Sequence, residues 1–209
     1  MSMWRSGSAA LAGLLFLTAG YGCAESDPTG PEEEATGVQF SFDGERAGQY
    51  QSEGTPTISS EGLPEVGSWA IARADSVGGL VVAGFEPTGT TDGNLFILQL
   101  HPIGTGEFTP CGVVGVEGCH GRFVVGVDTE DLSGVQAWYE ISEGSVTLTE
   151  AGPDRVRGTF TATFTNQIGQ GTLTVEDGVI DVPFSQDISV ANGLACLIEN
   201  LQAGTNEPC

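Results

Sequence analysis

The stretch Arg155-Val-Arg-Gly-Thr-Phe-Thr-Ala-Thr-Phe-Thr165 alternates without a break. Val156, Gly158, Phe160, Ala162 and Phe164 fall on one side, and Arg155, Arg157, Thr159, Thr161, Thr163 and Thr165 on the other. Successive side chains of a strand point to opposite faces, so this is a strand with one dry and one wet side. Aromatic residues on the dry side and β-branched threonine on the wet side suit an antiparallel sheet solvated on one face.

The same period extends in both directions. Downstream, Leu173 and Val175 lead into Asp177-Gly178, and Ile180, Val182 and Phe184 lead out, which predicts a hairpin turning at Asp177-Gly178. Upstream, Val146 and Leu148 alternate, as do Phe123, Val125 and Val127. Between them, Val135, Ala137, Tyr139 and Ile141 are expected to face the core, with Gln136, Trp138 and Glu140 facing out. Asn94 to His101 is apolar on nearly both faces and reads as a central buried strand, with Leu80 to Phe85 a shorter apolar run. Trp69, Ile71 and Arg73 share one face of another strand, and Val38, Phe40 and Phe42 one face of the first. Asp43-Gly44 and Asp92-Gly93 are further turn signals.

About nine to eleven short strands with no long helical period predict an all-β fold, an antiparallel β-sandwich or flattened barrel, over residues 38–209. The tail reads two ways. Leu194, Leu197, Ile198 and Leu201 form a helical stripe, whereas Asn192-Gly193 after Ile188-Ser-Val-Ala191 also fits a hairpin. A short C-terminal helix is the favoured expectation.

The beginning of the chain has another character. Arg5 precedes an apolar run from Ala9 to Ala19, then Gly20-Tyr21-Gly22 and Cys23. A spanning helix needs roughly 20 apolar residues, so this run is a signal segment rather than a permanent span. Residues 1–22 resemble the bacterial lipoprotein signal, which implies a lipid-anchored Cys23 as first residue of the exported protein. Gly20 departs from that pattern, which has an aliphatic residue there. A cut after Ala24 is the alternative, giving a freely secreted protein. Residues 23–37, with Pro28, Pro31 and Glu32-Glu33-Glu34, form an acidic tether too polar to fold alone.

The formal net charge is −22, from 28 acidic residues against six arginines, with no lysine. Such a chain has no basic patch for nucleic acid or anionic lipid, so the expected membrane contact is through the lipid alone. Besides Cys23, the cysteines are Cys111, Cys119, Cys196 and Cys209. An even number in an exported chain predicts disulfides; of three connectivities, nearest-neighbour pairing of Cys111 with Cys119 and Cys196 with Cys209 is the simplest.

The later half carries a further likeness. Glu143-Gly-Ser-Val-Thr-Leu-Thr149, the Arg155–Phe164 strand and Gly171-Thr-Leu-Thr-Val-Glu-Asp-Gly-Val-Ile-Asp-Val-Pro-Phe184, with Phe40-Ser-Phe-Asp-Gly44, resemble uncharacterised bacterial surface lipoproteins built on a β-sandwich domain of unknown function. The resemblance implies a cell-envelope protein and brings no functional residues.

Chemistry-bearing motifs are sparse. The only histidines are His101, at the end of a buried strand, and His120, next to Cys119. There is no Gly-x-Ser-x-Gly elbow, no Cys-x-x-Cys pair and no phosphate-cradling glycine loop. No catalytic residue, cofactor or metal is therefore assigned, and the chain is not expected to be an enzyme. Two weaker candidates are Asp128, Glu130 and Asp131 as calcium ligands, without an EF-hand pattern, and an outward Trp138 as a ligand contact. The sequence thus points to a non-enzymatic envelope lipoprotein acting as a structural or interaction module. A carbohydrate- or calcium-binding module is the alternative, and a secreted hydrolase the second.

Overall fold

Phe40, Phe96, Phe123 and Phe160 lie far apart in the chain, yet the ring of Phe40 sits 5.3 Å from those of Phe96 and Phe123 and 5.6 Å from that of Phe160. Alternation from ten strands delivers such rings to one interior. The computed structural model describes residues 36–59, 64–65, 67–75, 78–109, 111–112, 118–128, 134–205 and 207. The strands are β1 (Gly37–Gly44), β2 (Gly48–Ser52), β3 (Trp69–Ala74), β4 (Leu80–Pro87), β5 (Asp92–His101), β6 (Gly106–Phe108), β7 (Gly118–Asp128), β8 (Ala137–Ala151), β9 (Arg155–Asn166) and β10 (Thr172–Pro183). Helix α1 (Ile188–Ala203) follows.

All strands belong to one antiparallel sheet in the order β2-β1-β10-β9-β8-β7-β5-β4-β3, with β6 paired to β8. The two ends of that order curl towards each other, so the sheet is a nearly closed barrel. The backbone N–H of Ala70 donates to Gly54 O (3.0 Å), and that of Ser185 to Ala72 O (2.8 Å). The Gln51 N–H in β2 donates to Glu86 Oε1 in β4 (3.1 Å). Inward side chains of every strand, from Val38 to Val182, form one buried cluster. Closure leaves few free edges and answers the expectation of sandwich or barrel in favour of the barrel.

β9 follows its sequence pattern throughout: Val156, Phe160, Ala162 and Phe164 are buried in the interior, and Thr159 and Thr161 are exposed. The tail is helical. Asp187 caps α1 by accepting from the Ser189 N–H (2.8 Å), and Gly204 ends it in the left-handed region (φ 63°), where a side chain would be strained. Leu194, Leu197 and Leu201 are buried from α1 against the outer face of β3, β4, β5 and β7, over Trp69, Ile71, Phe85, Leu95 and Val124.

Several expectations are corrected. Asp177-Gly178 is not a hairpin turn: β10 runs straight through it. Val175 pairs with Ala162 and Gly178 with Phe160, so β10 carries one extra residue, a β-bulge that leaves Glu176 and Asp177 both exposed. Gly178 is there for close approach, since a Cβ would stand 2.3 Å from the Phe160 ring. Asp92-Gly93 does mark a turn: Asp92 O accepts from the Thr88 and Gly89 N–H groups (2.9 and 3.1 Å) as the chain enters β5, and a Cβ on Gly93 would meet the Phe85 ring. Asp43-Gly44 does lie at a turn: the β1–β2 hairpin last pairs Phe42 with Gly48, while Asp43 and Gly44 still pair with Thr174 and Leu173 of β10. A second bulge, in β7, sets Gly93 opposite Val127 but Leu95 opposite Val124; Gly126 (φ 67°) lies within it. It moves Val127 from the interior, where Phe123 and partly buried Val125 sit, to the outer layer beneath α1. Val135, before β8 begins, also packs on that outer layer.

Candidate functional site

The interior is filled by side chains rather than ligand space. Tyr50 stacks on Phe40 at 4.8 Å and Phe96 on Phe160 at 5.3 Å, and Tyr139 lies 6.4 Å from Phe123. The Tyr50 and Ser52 hydroxyls are buried without a hydrogen-bond partner beside Gly84, where a Cβ would strike Ser52 Oγ. Burial pushes the Tyr50 phenol far up, so it stays neutral.

Two polar latches close the barrel's surface. The Tyr139 hydroxyl donates to Glu45 Oε2 (3.2 Å), and Asn166 Nδ2 donates to the same oxygen (3.1 Å), tying the β1–β2 turn to β8 and β9. Burial and the neighbouring Glu45 carboxylate raise the Tyr139 pKa. Elsewhere, Arg155 clamps Asp181 through two nitrogens, and Arg157 Nε reaches Asp181 Oδ1 (3.2 Å). These cations serve acids of their own sheet.

Open space lies on the outer face of β2, β1, β10, β9 and β8, the wall that α1 does not cover. A groove of about 470 Å³ is lined by Ser41 and Asp43 of β1 and Thr174, Glu176 and Asp177 of β10. A second, of about 210 Å³, runs over Gln39, Gln49 and Gln51 to Asp177 and Val179. A third, of about 360 Å³, runs over Ser145, Thr147, Thr159 and Thr161 to Glu176 and Asp177. Asp177 lines all three, because the β10 bulge pushes it and Glu176 out together. Val179 beside it is 44% exposed, one of few large apolar side chains on the surface among the described residues. No arginine or lysine lines these grooves.

The residues singled out by sequence fall elsewhere. Trp138 does face away from the interior, yet it is half-buried, packed on the layer beneath α1, with the Arg122 guanidinium 5.7 Å from its ring centroid. Arg122 also pairs with Glu140 (3.2 Å). Asp128 ends β7 opposite Asp92, while Glu130 and Asp131 lie outside the described residues. Among the described residues no three acids, histidines or cysteines gather as a metal site. Cys111 and Cys119 form a disulfide, with Cα atoms 4.3 Å apart, that anchors the chain before β7 to the barrel. Cys196 is disulfide-bonded as well; Cys209 and Cys23 lie outside the described residues. His101 ends β5 half-exposed. His120 is 7% exposed, and neither ring nitrogen has a partner. Burial, then the adjacent Arg122, lower its pKa, with Glu140 opposing.

The groove carboxylates Asp43, Glu176 and Asp177 were missed by sequence reasoning because two of them belong to Asp-Gly pairs that read as turns. The sign that marks them is local: at Glu176-Asp177 two acids in succession interrupt an otherwise strict alternation. Compared with known proteins, the chain matches no family model, no curated protein and no solved structure.

Proposed function

We propose that this chain is an exported lipoprotein, anchored at a bacterial envelope through Cys23, whose barrel is a non-enzymatic interaction module. The observation that carries the reading is the disulfide between Cys111 and Cys119. Disulfides persist in oxidising compartments, and here one occurs in a chain whose first residues read as an export signal ending at a cysteine. An interior occupied by aromatic rings leaves the outer wall as the place for contact with a partner. Carboxylates, hydroxyls and amides line that wall, groups suited to hydrogen-bonding a partner.

The test is to express the full chain in a bacterial host and measure the intact mass and detergent partitioning of the mature protein. The expected result is a chain beginning at Cys23, carrying acyl chains and partitioning into detergent, with Cys23→Ala releasing it to the aqueous phase. A mature chain with an unmodified Cys23, or one retained in the cytoplasm with reduced thiols, would overturn the proposal.

A further inference from the structure

The geometry of the uncovered wall points to a binding surface for a neutral glycan chain, centred on Asp177. This inference rests on the reading of the chain as an envelope interaction module and names the partner. Three grooves meet at one exposed carboxylate and run across five adjacent strands. Neighbouring strands lie about 4.8 Å apart, so the track extends on the order of 20 Å, the scale of an oligomer rather than a single small molecule.

The lining decides the chemistry. Three carboxylates stand among nine hydroxyl and amide side chains, six of them serine or threonine. Hydroxyls and amides both donate and accept, which matches sugar hydroxyls, themselves donors and acceptors. Asp177 and Glu176 accept only, and a carboxylate holds a pair of hydroxyl donors more strongly than a neutral acceptor does. Val179 offers an apolar contact between two of the grooves for the C–H face of a sugar ring. The absence of a cation in the lining excludes a polyanion, which would meet three carboxylates without compensation.

Native gel electrophoresis of the purified mature protein tests this, with a soluble neutral β-glucan or α-mannan cast into the gel and heparin or polylysine in parallel lanes. The expected result is retardation by a neutral polymer and none by heparin. Asp177→Ala, and separately Thr159→Val with Thr161→Val, should each weaken retardation at least about tenfold at unchanged melting temperature, the equivalent of losing one charge-assisted hydrogen bond in the first case and two neutral ones in the second. Trp138→Ala should leave it intact. Unretarded migration in both neutral polymers, equal retardation of the wall variants, or binding to polylysine alone would each overturn the inference. Failure to bind glycan by a protein that is acylated at Cys23 removes this inference only. Glycan binding by a protein without lipid removes the anchoring proposal only.

Discussion

The barrel has two outer walls, and they differ in everything but backbone. On β3, β4, β5 and β7 the outward side chains are Trp69, Ile71, Phe85, Leu95, Ile97 and Val124, and α1 lies over them. On β8, β9, β10 and β1 the outward side chains include Ser145, Thr147, Thr159, Thr161, Thr174 and Ser41, and no element among the described residues lies over them. A strand buried on both faces has no side left for water, so the first wall is stable only when covered, and α1 is a structural requirement rather than an appendage. The second wall is stable bare, which leaves its chemistry free for a partner.

The comparison breaks first if α1 is dispensable. Leu194 is 2% exposed within the layer between α1 and the sheet. Leu194→Ala should cost about 2–5 kcal/mol, the range for a buried leucine that leaves a cavity, measured by urea denaturation. A loss below about 0.5 kcal/mol would mean that the wall does not depend on its cover. Next is the staple. Replacing Cys111 and Cys119 by serine should cost about 2–3 kcal/mol, the chain-entropy value for so short a loop, read as a lower thermal midpoint. Because the pair belongs to the interior cluster rather than to either wall, that loss should leave glycan retardation unchanged below the melting point.

His120 sharpens the contrast through pH. Its folded pKa lies below the ordinary value near 6.5, so the unfolded chain binds the proton more readily. Its contribution to stability is therefore complete above about pH 6.5 and is lost as pH falls towards the folded pKa. Denaturation midpoints at pH 7.5 and 5.5 should differ in that direction, and His120→Leu should flatten the dependence. A midpoint that rises on acidification, and falls back with the substitution, would contradict the burial argument. No histidine lines the grooves on the bare wall.

How much of this was legible depended on whether the signal was local. The alternation of β9 and the i, i+3, i+4, i+7 stripe of α1 are one-element patterns, and both were read correctly. The two-sided apolarity of Asn94 to His101 announced burial on both faces, though not that a helix would provide the cover. Asp177-Gly178 misled, because glycine serves two masters. In a hairpin it supplies positive φ, whereas at Gly178 and Gly93 it makes room for a ring packed across the sheet, and only the structure separates these. Both bulges shift the face of everything beyond them by one residue, which is why Val127 was grouped in one alternation with Phe123 and Val125 and the outward pairing of Glu176 with Asp177 went unseen. Asp43 and Asp177 line one groove because β1 pairs with β10, strands far apart in the sequence. Trp138 drew attention as an outward aromatic, but neighbours distant in sequence half cover it.

The smallest expected effect is the most informative about the bare wall. Thr161 is exposed on β9, opposite Ser145, and their hydroxyl oxygens are 3.4 Å apart. Thr161→Val keeps the β-branched shape and removes only the hydroxyl, so the strand retains its preference while the weak contact to Ser145 disappears. An exposed substitution of this sort stays within about ±0.5 kcal/mol. Denaturation of the single variant should therefore be indistinguishable from the parent. If instead it cost as much as Leu194→Ala, the threonine ladder would be part of what holds the barrel together, and the wall's hydroxyls would be explained without a ligand. A neutral result at every threonine of β9 and serine of β8 would mean that folding stability does not depend on these hydroxyls.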